Sequence, residues 1–344
     1  MHNFNAGGHT VKAMLKKNRC FFVKAVIFVL ILVILFNFVQ NILLPKSNEN
    51  FGSYGIGAFL GEPEQTLDVI AIGNSNMAQG MSMMELYKAY GYAGFTCAQP
   101  NQSISQACSL LSRILERQTP KLVILEADEL FLGKSTIDNA EMIVKDTLQN
   151  KFPALYYHDR WKSLALSDLV LPVNTSWRHY ARGYKLETDI APYTGAKDYM
   201  SKNTAPVEID RLTKACLKYF VAMCQRKNIE VMLLSIPCPK SWNKAKHDAV
   251  AAFAKTEGIT YLDLNPGAST NVPGFKSSLN IDWNNDTKDM GTHLNIYGAF
   301  KVTDIFGEFL QKTRQLPDRR GAKGYEQWDQ FLKEYETKIG KYRP

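Results

Sequence analysis

Two short stretches of the chain carry residue types at spacings that do chemistry. The first is Gly73-Asn74-Ser75-Asn76. Glycine permits a tight exit turn from a strand. A serine at the start of the next helix has an exposed hydroxyl beside backbone N–H groups that can hold an oxyanion. Alone, the segment reads equally well as a polar turn with an N-capping serine. The second stretch is Asp286-Thr287-Lys288-Asp289-Met290-Gly291-Thr292-His293-Leu294-Asn295, which opens into an apolar-periodic helix. A histidine with a carboxylate four residues earlier is what a general base and its orienting acid require. A surface histidine at a helix start is the bland alternative. Both stretches follow predicted strands, nucleophile first and base last, and that order favours nucleophilic catalysis.

The elements that must position them come from the hydrophobic pattern. Short apolar, β-branched runs at 67–72, 94–98, 122–125, 231–236 and 260–264 predict buried strands. Helical spacing separates them at 82–90, 103–118, 209–227, 244–256 and 295–311, with Ser82 and Glu85 spaced as a capping box. The alternation predicts an α/β fold, a doubly wound parallel sheet of about five strands, occupying residues 67–316. Such sheets bind ligands at the carboxyl ends of their strands, where both stretches fall. Residues 131–207, rich in Tyr, Trp, His and Pro, interrupt the pattern and are expected to cap one end of the sheet. Residues 317–344 place Trp328, Phe331, Leu332, Tyr335 and Ile339 at helical spacing, which predicts an amphipathic helix lying on the domain or on a membrane surface.

These segments resemble the first and last motif blocks of the SGNH/GDSL hydrolase superfamily. More closely, they resemble its membrane-anchored members from bacterial envelope polysaccharide and teichoic-acid clusters. Asp286, Asp289, Gly291, His293, Leu294, Asn295, Gly298 and Ala299 fit the closing block, and the likeness extends over residues 65–312. It implies a flavodoxin-like three-layer sandwich with Ser75 as nucleophile, His293 as base and Asp289 as orienting acid, with Asp286 as the competing acid. Asn74 stands where the family has aspartate. The oxyanion-donor glycine expected after the second strand is missing from Ala98-Gln99-Pro100-Asn101-Gln102, and Pro100 has no N–H. Asn101 or Gln102 is therefore expected to lend a side-chain amide, with Asn74 and Asn76 completing the polar surround of the serine. His158 and Arg160 are expected to line a substrate entrance. The resemblance implies an esterase or O-acyltransferase acting on acyl esters of an envelope glycan or teichoic acid, partnered by a membrane-bound O-acyltransferase. The sequence itself has no metal-spaced His/Asp cluster, phosphate loop or dinucleotide fingerprint, so no cofactor or metal is expected. The alternative is a non-catalytic partner of that acyltransferase that keeps the fold.

Composition excludes other classes. The 344 residues are 45% hydrophobic and 22% charged, ample for a core. Of the net charge of +8, Lys12, Lys16, Lys17, Arg19 and Lys24 supply five; without them 36 basic residues face 33 acidic ones, and no basic stripe for nucleic acid is left. Those cations precede an apolar segment at 25–44, long enough for a helix of about 30 Å that spans a hydrocarbon core. No small-residue cleavage site follows it, so an uncleaved anchor is expected: a cytoplasmic basic tail at 1–24, the span, and a tether at 45–66 leading to an extracytoplasmic domain. Cys97, Cys108, Cys216, Cys224 and Cys238 show no Cys-x-x-Cys or zinc spacing and read as small buried hydrophobes. His247 is read on a polar helix face, and His179 within the aromatic insertion.

Overall fold

The computed structural model describes residues 6–51, 55–133, 135–201, 205–268, 272, 274–275 and 277–343, without the side chains of 6–20 and 150. In chain order the elements are α1 (Ala6–Leu43), α2 (Ile56–Leu60), β1 (Val69–Gly73), α3 (Ser75–Gly80), α4 (Met83–Tyr90), β2 (Gly94–Ala98), α5 (Ile104–Arg117) and β3 (Leu122–Glu126). They continue with α6 (Thr136–Lys151), α7 (Ser167–Val170), α8 (Arg211–Gln225), β4 (Glu230–Ser235), α9 (Lys244–Glu257), β5 (Thr260–Asp263), α10 (Ile296–Thr313) and α11 (Glu326–Ile339). The chain divides into two compact units. One holds residues 1–46 and 151–173, the other 47–150 and 174–344.

The larger unit is an α/β fold on a five-stranded sheet in the order β2-β1-β3-β4-β5, with each neighbouring pair parallel. Parallel strands are covered on both faces, and β1, β2 and β3 are buried at every residue. Ser103 caps α5 reciprocally with Gln106, and α5 packs beside α8. The capping box expected at Ser82 and Glu85 does not form. Tertiary partners outbid the local ones: Ser82 Oγ bonds Tyr335 Oη at 2.8 Å, and the buried Glu85 carboxylate pairs with Arg343.

Other expectations are corrected by burial. Of residues 45–66, read as a tether, the described residues 47–51 and 55–66 belong to the sheet unit. Asn48 is fully buried, donates to the carbonyls of Gly57 and Trp177, and accepts the Trp177 N–H. Phe59 packs edge-on to Phe95 with ring centroids 5.7 Å apart. The 131–207 insertion is split: residues 151–173 belong with α1, the rest with the sheet. Helix α1 also starts well before the apolar run, at Ala6. Its 23-residue stretch Phe21–Leu43 is long and apolar enough to cross a membrane. The side chains of Lys12, Lys16, Lys17 and Arg19 lie outside the described residues.

The C-terminal helix α11 packs on the sheet unit, burying Trp328, Tyr335 and Ile339. Beneath it lies Arg182, fully buried, its Cζ 4.0 Å from the Trp328 ring centroid and 4.6 Å from that of Phe331. Its charge is met by buried Glu62. Burial dominates both groups: it raises the Glu62 carboxyl against the pull of Arg182 and lowers the guanidinium to about 10. A buried pair contributes little net stability, but its rupture strands a charge. In urea titrations of the full-length protein in detergent, Glu62→Ala should therefore cost about 3–5 kcal/mol. Glu62→Leu combined with Arg182→Met should restore most of that loss; a double variant as unstable as Glu62→Ala would refute this account.

Candidate active site

Strand β1 ends in Gly73, where an added Cβ would lie 2.4 Å from Met77 Cβ and 3.0 Å from Glu126 Cβ. Only glycine lets the chain turn here between its own next helix and β3. Asn74 caps that helix, its Oδ1 accepting the Asn76 N–H at 2.8 Å. Ser75 is the first helical residue and is half-buried, whereas Asn74 and Asn76 are buried. The N–H groups of Ser75 and Met77 have no partner within the helix, as at any helix start.

The histidine loop is held at both ends. Asn295 is fully buried and caps α10 by accepting the N–H groups of Tyr297 and Gly298, while its amide donates to the carbonyls of Asp189 and Asn285. Thr287 and Leu294 form an antiparallel bridge. Between them Met290 and Gly291 adopt positive φ, 59° and 91°, and the Gly291 N–H donates to Thr287 Oγ1 at 2.7 Å. A Cβ on Gly291 would come within 2.7 Å of Tyr193 and 3.0 Å of Pro239. Residues 187–193 brace the loop through Ala191 N to Thr287 O, Met290 N to Ala191 O, and Ile296 N to Glu187 O. This brace was missed in the sequence, because irregular chain making backbone bonds has no periodicity.

Tertiary structure joins the two motifs. His293 Nε2 lies 2.7 Å from Ser75 Oγ, across 218 residues of sequence. Its Nδ1 lies 2.5 Å from Asp289 Oδ2, and its backbone N–H donates to Asp289 Oδ1 at 2.7 Å. Burial raises the Asp289 carboxyl, but the bonds from His293 outweigh it and hold the group below the usual carboxylate range. Asp286 points elsewhere. It is buried, accepts the Asp282 N–H at 2.7 Å and pairs with Lys301 at 2.6 Å, so it fastens the loop to α10.

The remaining candidates are dispersed. Gln102 has no exposed surface, and its amide donates to Glu129 at 3.2 Å, which removes it as a donor to a ligand at Ser75. Asn101 is exposed, with a left-handed φ of 49°. His158 and Arg160 lie in the other unit; His158 Nδ1 is 2.8 Å from the Leu155 carbonyl, and Arg160 binds Asp168. His247 is not on a polar face: it is buried, 2.8 Å from Asp263, which also accepts from Trp242 and Tyr261. Two buried acids escaped notice. The Asn74 N–H donates to Glu126 Oε2 at 3.4 Å, and Glu129 lies a turn further on. Burial pushes both carboxyls well above their usual range, reinforced at Glu126 by the Asp128 charge and at Glu129 by Glu126.

No protein-family model and no curated protein matches the sequence. Among solved structures, a Bacteroides fragilis chain named as an acylhydrolase is 17% identical, with 74% of this chain and 91% of that one covered and a TM-score of 0.36. A GDSL-like lipase from Bacteroides thetaiotaomicron is 14% identical, covering 71% and 85%, with a TM-score of 0.33. A family 3 carbohydrate esterase from Clostridium thermocellum is 12% identical, covering 73% and 96%, with a TM-score of 0.34. Identities this low say nothing about substrate.

The contacts separate the two aspartates. Asp289→Asn should slow fluorophosphonate labelling of Ser75 by up to about 10⁴-fold, the size of loss seen when a triad acid becomes an amide. Asp286→Asn should leave labelling within about tenfold and lower the melting temperature instead; the reverse pattern would reassign the acid. Glu126 gives a pH test. Because its folded pKa is raised, its contribution to stability is full below the unfolded value and is lost as pH rises toward the folded one. Glu126→Gln should thus gain stability over wild type as pH rises above about 4.5, in melting curves across pH. A gap independent of pH would show that Glu126 is ionised in the fold.

Proposed function

We propose that this protein is an extracytoplasmic serine esterase or O-acyltransferase of SGNH type, anchored by α1 and acting on acyl esters of an envelope glycan or teichoic acid. The observation that carries the reading is the unbroken chain Ser75 Oγ, His293 Nε2, His293 Nδ1, Asp289 Oδ2, with contacts of 2.7 and 2.5 Å. Ser75 Oγ attacks the ester carbonyl while His293 Nε2 takes its proton. Asp289, kept ionised by its bonds to His293, orients the ring and balances the imidazolium. The tetrahedral intermediate collapses, His293 returns the proton to the leaving alcohol, and an acyl-Ser75 ester remains. Water or a glycan hydroxyl then attacks that ester with His293 again as base, so hydrolysis and transfer differ only in the acceptor. The Ser75 N–H, which has no partner within its helix, is the backbone donor we assign to the developing oxyanion. The basic flank of α1 supports a cytoplasmic N-terminus with the sheet unit outside. The envelope setting, and a membrane-bound O-acyltransferase as supplier of the acyl group, rest on the motif resemblance.

The burial of Gln102 and the missing N–H of Pro100 favour a second reading, a non-catalytic partner of such an acyltransferase. Loss of one oxyanion donor costs about 10²- to 10³-fold, which slows an enzyme without abolishing it. The test is labelling of intact cells with a membrane-impermeant fluorophosphonate, followed by exposure of the purified full-length protein to short acyl esters and mass analysis. Adducts should form on Ser75 and vanish in Ser75→Ala and His293→Ala, and the double variant should look no worse than either. An unlabelled wild-type protein, with Ser75→Ala still supporting envelope modification in cells, would establish the non-catalytic partner.

A further inference from the structure

The smaller unit contains an arrangement that the proposed chemistry does not use. Residues 151–173 pack on the C-terminal end of α1. The last carbonyls of a helix lack intrahelical partners, and in an apolar medium each bare group costs several kcal/mol. Arg160 covers them: its Nη1 donates to Leu43 O at 3.1 Å and also to the carbonyls of Leu44 and Ile42. A cation at a helix C-terminus is also favoured by the helix dipole. Arg160 is in turn neutralised by Asp168, 2.9 Å away and buried, whose other oxygen accepts the Ala165 N–H. Those two bonds, backbone first, hold the Asp168 carboxyl below its usual value. Phe152 packs edge-on to Phe36 at 5.2 Å, about two turns inside the end of α1.

This segment is therefore riveted to the end of a helix that is long enough to cross a bilayer. Yet it exposes an unusual set of large apolar side chains: Trp161 is 65% exposed, Leu166 83% and Val170 77%, with Leu155, Tyr156 and Leu171 each about half exposed. In water such a cluster is costly; at the boundary of headgroups and acyl chains it is not. Trp and Tyr concentrate at that depth. The polar members, His158, Asp159, Lys162 and Ser163, stand in the same short turns. These turns leave backbone groups that the hydrocarbon core does not tolerate, so the segment fits the interface and not the core. At 1.5 Å per residue, the 23 residues of Phe21–Leu43 measure about 34 Å and carry the final turn of α1 out to that level.

We infer that residues 151–173 form a lipid-facing interfacial collar, seated in the headgroup boundary of the leaflet at the C-terminal end of α1 and locked there by Arg160. The inference rests on the reading that Phe21–Leu43 spans the membrane, and its partner is the lipid itself. The test uses the full-length protein in phosphatidylcholine vesicles free of other proteins, with lipids brominated either near the headgroup or near the chain end. Headgroup-proximal bromines should quench tryptophan emission more than deep ones, and Trp161→Phe should remove that quenched component. Leu32→Trp serves as the control in the span and should be quenched by the deep bromines. If Leu32→Trp is quenched while Trp161→Phe changes nothing, the collar is refuted and the anchor stands. If neither responds, anchor and collar fall together. If Trp161 is open to an aqueous quencher in pure lipid but shielded in native membranes, the face belongs to a protein partner and the lipid assignment is wrong. Leu166→Trp, a second reporter on the same face, keeps the test valid if Trp161→Phe perturbs the segment.

Discussion

A parallel β-ladder cannot close on itself through hairpins; each return crosses a face of the sheet, so helices cover both sides and all carboxyl ends emerge at one edge. Most of the larger unit follows from that constraint. It buries β1, β2 and β3 at every residue and places β1 between β2 and β3. The turn after β1 therefore opens at that carboxyl edge between the ends of β2 and β3, where chain from distant parts of the sequence can reach it. Ser75 occupies that turn, and the loop before α10 meets it there.

Meeting within hydrogen-bond distance needs more than a shared edge. The 286–295 loop is rigid because nearly every polar group in it is used: Asp286 on Lys301 and the Asp282 N–H, Thr287 on the Gly291 N–H, Asn295 on two amide N–H groups and two carbonyls. Asp289 is left to grip His293 by both its backbone and its ring. Electrostatics divides the nearby acids into two kinds. Asp289, rich in donors and partly exposed, is stabilised as an anion, whereas Glu126 and Glu129, buried among few donors, are pushed toward the neutral form. Asp289 can orient the His293 ring, while Glu126 accepts the Asn74 N–H and Glu129 the Gln102 amide as buried hydrogen-bonding groups.

The smaller unit presents a different kind of surface. Its apolar helix and the side chains of Trp161, Leu166 and Val170 are exposed, and its Arg160–Asp168 pair is built around helix-end carbonyls. The two units thus solve opposite problems. One hides apolar surface from water; the other covers helix-end carbonyls with Arg160 beside an exposed apolar helix.

By itself the sequence determined the sheet, its five strands to within a residue or two, and the apolar helix, and it singled out Ser75, His293 and two rival aspartates as candidates. These are legible because burial on both faces writes a short apolar run for each strand, and because the candidate residues stand at short spacing in two local motifs. The four-residue spacing already favoured Asp289 over Asp286, but only the tertiary structure shows Asp289 facing His293 while Asp286 is taken by Lys301. It also decided that Gln102 is spent on Glu129, that Ser82 bonds Tyr335 in place of its own helix, that His247 is buried on Asp263, and that residues 151–173 join α1 and not the sheet. Each of these turns on a partner many residues away or on side-chain direction. A local pattern of residue types carries no record of either, because hydrogen bonds and burial are satisfied by whichever group the folded chain brings into reach.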